Sequence, residues 1–64
     1  MTDWKNKKSV LAAVQKDGYV LKNADESLKK DKSIVLEAVK QDGSALEHAD
    51  ESLKKDPDII KAAK

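Results

Sequence analysis

The chain carries one histidine, His48, and five serines, Ser9, Ser27, Ser33, Ser44 and Ser52. Nucleophilic hydrolysis needs a nucleophile, a base and an orienting group within reach of one another. Only around His48 do the three types crowd together, with Ser44 four residues before it and Asp50 and Glu51 just after. A chain of 64 residues has little interior from which to exclude water around such a set. A solvated polar helix position accounts for His48 more simply, and we assign no catalytic residue. There is no Cys, and four metal ligands of suitable type and spacing are absent from the sequence. We therefore expect no metal and no cofactor, and the chain reads as a non-enzyme.

Paired carboxylates occur at Asp25-Glu26, Asp50-Glu51 and Asp56 with Asp58. Glycosidic chemistry holds two carboxyls apart across a cleft. These pairs instead stand at helix starts, where the helix dipole favours negative charge. Asp17-Gly18 and Asp42-Gly43 invite comparison with calcium loops, but the ladder of oxygen ligands before the Gly is missing. Turn and cap chemistry explains them. With two Gly set 25 residues apart, no phosphate-cradling loop exists.

The lysines form a broader pattern. All 13 basic residues are Lys and 12 acidic residues oppose them, for a net charge of +1. Lys5, Lys30 and Lys55 are 25 apart, as are Lys7 and Lys32, and Lys29, Lys30 and Lys32 make the densest cluster. Such a ladder could hold a polyanion weakly, whether nucleic acid or an anionic surface. Without Arg, and with aspartates set among the lysines, nucleic acid is a poor partner. The charged fraction is 39% and the aromatic fraction 3%, which points to a helical, water-facing chain. The apolar runs Val10–Val14 and Ile34–Leu36 are far too short to span a membrane. The first residues carry no secretory leader pattern, so a cytoplasmic location is expected.

These residues recur because the chain repeats itself. Residues 7–31 align with residues 32–56, and 16 of the 25 positions are identical. The run ADESLKKD appears at 24–31 and again at 49–56. A third, partial copy follows from residue 57, with Ile60 in register with Val10 and Val35, and Ala63 with Ala13 and Ala38. The organisation expected is one domain over 1–64: an N-terminal cap at 1–6, units at 7–31 and 32–56, and a capping helix at 57–64.

Each unit reads as short helices. Val10, Leu11 and Val14, repeated at Val35, Leu36 and Val39, give one face of a helix. Asp31 and Asp56 stand where N-caps belong, and Pro57 suits a first helical position. Gly18 and Gly43 are expected at left-handed positions just past two helix ends. A shorter helix follows each Gly, carrying Leu21 or Leu46, with Asp17 or Asp42 as its cap. Asp25 and Asp50 then cap one last turn that brings Leu28 or Leu53 inward. Glu26 with Lys30 and Glu51 with Lys55 are expected as i, i+4 pairs.

The fold class expected is all-α, a stack of about seven short helices. Its core should hold Val10, Leu11, Val14, Leu21, Leu28, Val35, Leu36, Val39, Leu46, Leu53, Ile59 and Ile60. Ala13, Ala38 and Ala63 allow close helix approach. At the ends, Ser9 replaces the Ile of positions 34 and 59, and Lys61 replaces the Leu of positions 11 and 36. The first position would then face the preceding unit and the second the following one. Asp3 aligns with Leu28, so Trp4 beside it could close the N-terminal end and give a self-capped domain.

The second unit, VLEAVKQDGSALEHADESLKKD at 35–56, resembles the small helical-repeat family catalogued as domain of unknown function 4116. Asp31, Ile34, Val35, Leu36, Ala38, Val39, Lys40, Gly43, Ala45, Leu46, Ala49, Leu53 and Asp56 fit its pattern. The first unit, from VLAAVQKDG at 10–18, departs at Ser9 and Val20. The resemblance implies an all-helical repeat and, by analogy, contacts with proteins. The function expected is a protein-interaction module of unidentified partner, monomeric or weakly self-associating. Its candidate surface is Tyr19, Val20 and their equivalents Ser44 and Ala45, although a chain this small needs its large side chains inside, which favours Tyr19 and Val20 as core beneath Trp4. The alternative is polyanion binding through Lys5, Lys7, Lys29, Lys30, Lys32 and Lys55.

Overall fold

In the structure, a computed structural model describing residues 2–63, Lys7–Lys16 forms the first α-helix, α1. Its apolar stripe buries Val10 and Val14 completely. Asn6 caps it by accepting the Ser9 N–H at 3.1 Å. A 3-10 helix, Gly18–Asn23, follows directly. A single α-turn, α2 (Glu26–Lys29), closes the first unit. The series then recurs 25 residues on as α3 (Lys32–Gln41), a second 3-10 helix (Gly43–His48) and α4 (Glu51–Lys54). The last helix is α5, Pro57–Ala63. No strand occurs among the described residues, and the fold is all-α. Residues 1 and 64, the outer limits of the expected caps, fall outside the described residues.

Helix α3 is the centre of the molecule. It packs against α1 on one side and α5 on the other, and both 3-10 helices touch it. Val35, Ile34 and Ala38 are accordingly fully buried. The two 3-10 helices also lie against each other. Successive units are tied by a repeated backbone bond. The Asp25 N–H donates to the Trp4 carbonyl at 2.8 Å, and the Asp50 N–H donates to the Lys29 carbonyl at 3.2 Å. Trp4 and Lys29 are themselves 25 apart, so the segment before α1 supplies what a preceding unit would.

The glycines depart from expectation. No described residue has a positive φ. Each long helix ends instead because Asp17 (φ −151°, ψ 103°) and Asp42 (φ −150°, ψ 108°) swing to extended backbone. Each Asp then caps the 3-10 helix that follows, Asp17 accepting from Tyr19 N–H and Asp42 from Ser44 N–H. Gly is required for space. A Cβ on Gly18 would collide with the Ala38 carbonyl oxygen, and one on Gly43 would lie 2.5 Å from that of Ala63. The glycines let each 3-10 helix meet the backbone of the next long helix.

The core also departs from expectation in detail. Ile60 is 37% exposed, and Leu11, Leu36 and Leu46 are only half-buried. Ile34, Ala24, Ala45 and Ala49 are buried core residues the apolar pattern did not select. Glu51 pairs with Lys54, three residues on, at 3.3 Å rather than with Lys55. A four-residue helix is too short to align a pair spaced by four.

Candidate functional site

Among the described residues, Tyr19 is the most exposed large hydrophobic side chain, at 38%. Asp17 fixes its backbone through the cap. Its ring meets the His48 ring edge-on, with centroids 5.0 Å apart and planes at 81°. The Lys22 ammonium sits 4.8 Å from the ring centre on the same 3-10 helix. Tyr19 therefore spans from the first unit to the second, held on two sides with its remaining surface in water.

The other residues of the proposed surface separate. Val20 is half-buried and lines a hollow of about 400 Å³ with Thr2, Trp4, Ser9, Ala12, Ala13, Lys16 and Asp17. Ser44 is exposed, and its hydroxyl donates to Asp42 at 2.7 Å. Ala45 is fully buried and cannot belong to a surface. The cause is directional: consecutive positions of a 3-10 helix are about 120° apart, so Tyr19 and Val20 point to different places.

The serine, histidine and carboxylate that crowd together in the sequence around His48 are not assembled into a hydrogen-bonded set among the described residues. The Ser44 hydroxyl is engaged by Asp42, and the Asp50 carboxylate accepts the Ser52 hydroxyl at 2.7 Å. Three residues per turn also put Ser44 and His48, four apart, on different faces. The His48 Nε2 is buried and has no hydrogen-bond partner among the described residues. The nearest carboxylate oxygen is that of Glu47, at 3.8 Å.

Of the six lysines of the expected ladder, Lys7 and Lys32 are engaged in ion pairs. Lys7 pairs with Asp31 at 3.0 Å, and Lys32 bridges Asp56 at 3.3 Å and Asp58 at 2.9 Å. These pairs link the start of one long helix to the cap of the next. The Asp58 hydrogen bond, then that of Asp56, raises the Lys32 ammonium above its usual range. Burial pushes Asp31 up, yet Lys7 and the backbone N–H groups of Ile34 and Ser33 outweigh it and leave its carboxyl below the ordinary value. Lys29 and Lys30 line a hollow of about 270 Å³ that Glu26, Asp50 and Glu51 also line, so its charge is mixed.

Among the described residues, no helix is long and apolar enough to cross a membrane. What the geometry defines is a small all-helical domain with elements recurring at 25-residue spacing. The comparison with family models gives the particular family. The chain belongs to the family described as domain of unknown function DUF4116, whose model matches residues 6–54 and, again, residues 32–63. No curated protein and no solved structure matches the chain.

Proposed function

We propose that the chain is a non-enzymatic interaction module that holds a protein partner through the exposed ring of Tyr19. The supporting observation is the way that ring is held. His48 and Lys22 fix it while more than a third of the residue stays in water. An aromatic side chain ordered before binding loses little entropy on docking, and Tyr is enriched among the residues that dominate binding energy.

The test is capture. The immobilised chain is exposed to lysate from its source, with and without nuclease, at low and moderate salt, beside a Tyr19→Ala chain. The module reading expects a protein retained at moderate salt after nuclease and lost with Tyr19→Ala. Retention that disappears with salt or nuclease, yet is indifferent to Tyr19, would overturn it and favour the lysine ladder, because polyanion binding falls steeply with salt.

A further inference from the structure

Equivalent positions differ in exposure, and two of the differences point to one place. Leu21 is fully buried, whereas Leu46, 25 residues on, is half-buried. Val10 and Val35 are fully buried, whereas Ile60 is 37% exposed. Leu21 has the second 3-10 helix beside its own. Val10 and Val35 lie on long helices, each packed against the 3-10 helix of its own unit. Among the described residues, no third 3-10 helix stands beside Leu46 or follows α5. Both exposures therefore border the place that a third 3-10 helix would take.

A hollow of about 400 Å³ beside the second 3-10 helix marks that place. Gly43, Ser44, Leu46, Glu47 and Lys54 line it. Their first-unit equivalents are Gly18, Tyr19, Leu21, Lys22 and Lys29, and three of these hold the second unit. Gly18 lies against the Ala38 backbone, Tyr19 meets the His48 ring, and the Lys29 carbonyl accepts the Asp50 N–H. In the second unit Gly43 already lies against Ala63 of α5. Ser44 is exposed, and the Lys54 carbonyl receives no equivalent bond among the described residues.

We propose that this face docks a partner protein through a short leucine-bearing turn with the chemistry of residues 43–50. Continuity with the internal packing is the argument. Inside the chain, that segment sits on the first unit. Ala45 is fully buried there, whereas its equivalent Val20, with no unit before it, is half-buried. A partner segment in the corresponding place sets a small residue against Leu46, a leucine against Ile60 and a backbone N–H on the Lys54 carbonyl. The partner brings only the turn, because α5 already fills the place of a third long helix. A second folded copy does not supply it, since both of its 3-10 helices are packed against each other and on α3. The inference goes beyond the Tyr19 reading and does not rest on it.

The probe is a synthetic peptide with the sequence of residues 42–53, capped at both ends. It is titrated into the isotope-labelled whole chain through the millimolar range while amide resonances are followed. Shifts are expected at Ser44, Leu46, Glu47 and Ile60, and at Lys55, whose amide shares a peptide bond with the Lys54 carbonyl. They should saturate on the order of 1 mM, because the peptide loses its own freedom on docking. A peptide carrying Leu46→Asp should bind at least about tenfold more weakly, the effect of losing one buried leucine. An Ile60→Lys chain should lose affinity to a similar degree. Circular dichroism verifies that it keeps its helix content, and Ile60→Gln replaces it if it unfolds. No shift across the range overturns the proposal, as does a Leu46→Asp peptide that binds like the parent. Shifts gathered at Trp4 and Tyr19 also overturn it, being the mark of a peptide that displaces the chain's own segment. Tyr19-dependent capture without peptide binding would leave the module reading standing and this one refuted. Peptide binding at this face, unchanged in a Tyr19→Ala chain and with no Tyr19-dependent capture, would do the reverse.

Discussion

At the residue scale, aspartates do most of the local work. Asp25, Asp42 and Asp50 each accept a hydrogen bond from the hydroxyl and the backbone N–H of the serine two positions on. The serine hydroxyl is the leading cause that holds each carboxyl below the ordinary 3.8. Burial raises Asp56, but the Asp58 N–H and Lys32 outweigh it and lower it too. A folded value below the unfolded one means that the unfolded chain binds more protons. Stability is then complete above the unfolded value and falls as pH drops through the folded ones. Lys32, raised, acts oppositely: its contribution is complete below 10.5 and is lost as pH rises beyond that. Thermal melts should therefore give a plateau at neutral pH and a falling Tm below about pH 4. A Tm unchanged down to pH 2 would contradict these bonds. Asp31 also caps α3 through Ser33 N–H at 2.9 Å. Asp31→Ala should cost about 1 kcal/mol by denaturant titration, and Asp31→Asn distinctly less because the cap survives.

Elements are set by how closely they must approach. Gly18→Ala drives a methyl group into the Ala38 carbonyl of the central helix and should cost about 2–3 kcal/mol. Gly43→Ala should cost less, because its obstacle is Ala63 near the end of α5, which can shift. No loss at Gly18 would show that the close approach does not limit packing. Trp4 packs against the core and supplies the carbonyl for Asp25. Trp4→Ala should destabilise by about 1–2 kcal/mol, less than a fully buried Trp, and lower Tm by about 5–10 °C. An unchanged melting curve would refute its capping role.

At the scale of the whole molecule, the helical class, the 25-residue spacing and the caps at Asp17, Asp25, Asp31, Asp42 and Asp50 were all legible in the sequence. They depend on neighbours a few residues away, so local pattern carries them. The burial of Ile34 and Ala45, and the exposure of Ile60, depend on contacts between units. Ile34 was legible through Ser9 standing at its place in the first unit, whereas the register of Ile60 with Val10 and Val35 pointed to burial. The glycines misled because Gly is common both at left-handed turns and at close backbone contacts, and only the packing of the 3-10 helix on the next long helix separates the two. Tyr19 was legible as a candidate, yet its setting was not. The His48 edge comes from the other unit, and Lys22 reaches it only through the 3-10 turn. Val20 and Ala45 left the candidate surface for the same reason, since a 3-10 turn sends neighbours to different faces.

The central claim is that Tyr19 is the contact point, and mapping the bound surface tests it most directly. The isotope-labelled chain is titrated with the protein it captures while backbone amide resonances are followed. The account predicts the largest shifts at Tyr19, Lys22 and His48, with the amides around Lys7 and Lys32 little changed. Shifts concentrated along the lysines, with Tyr19 unmoved, would contradict it.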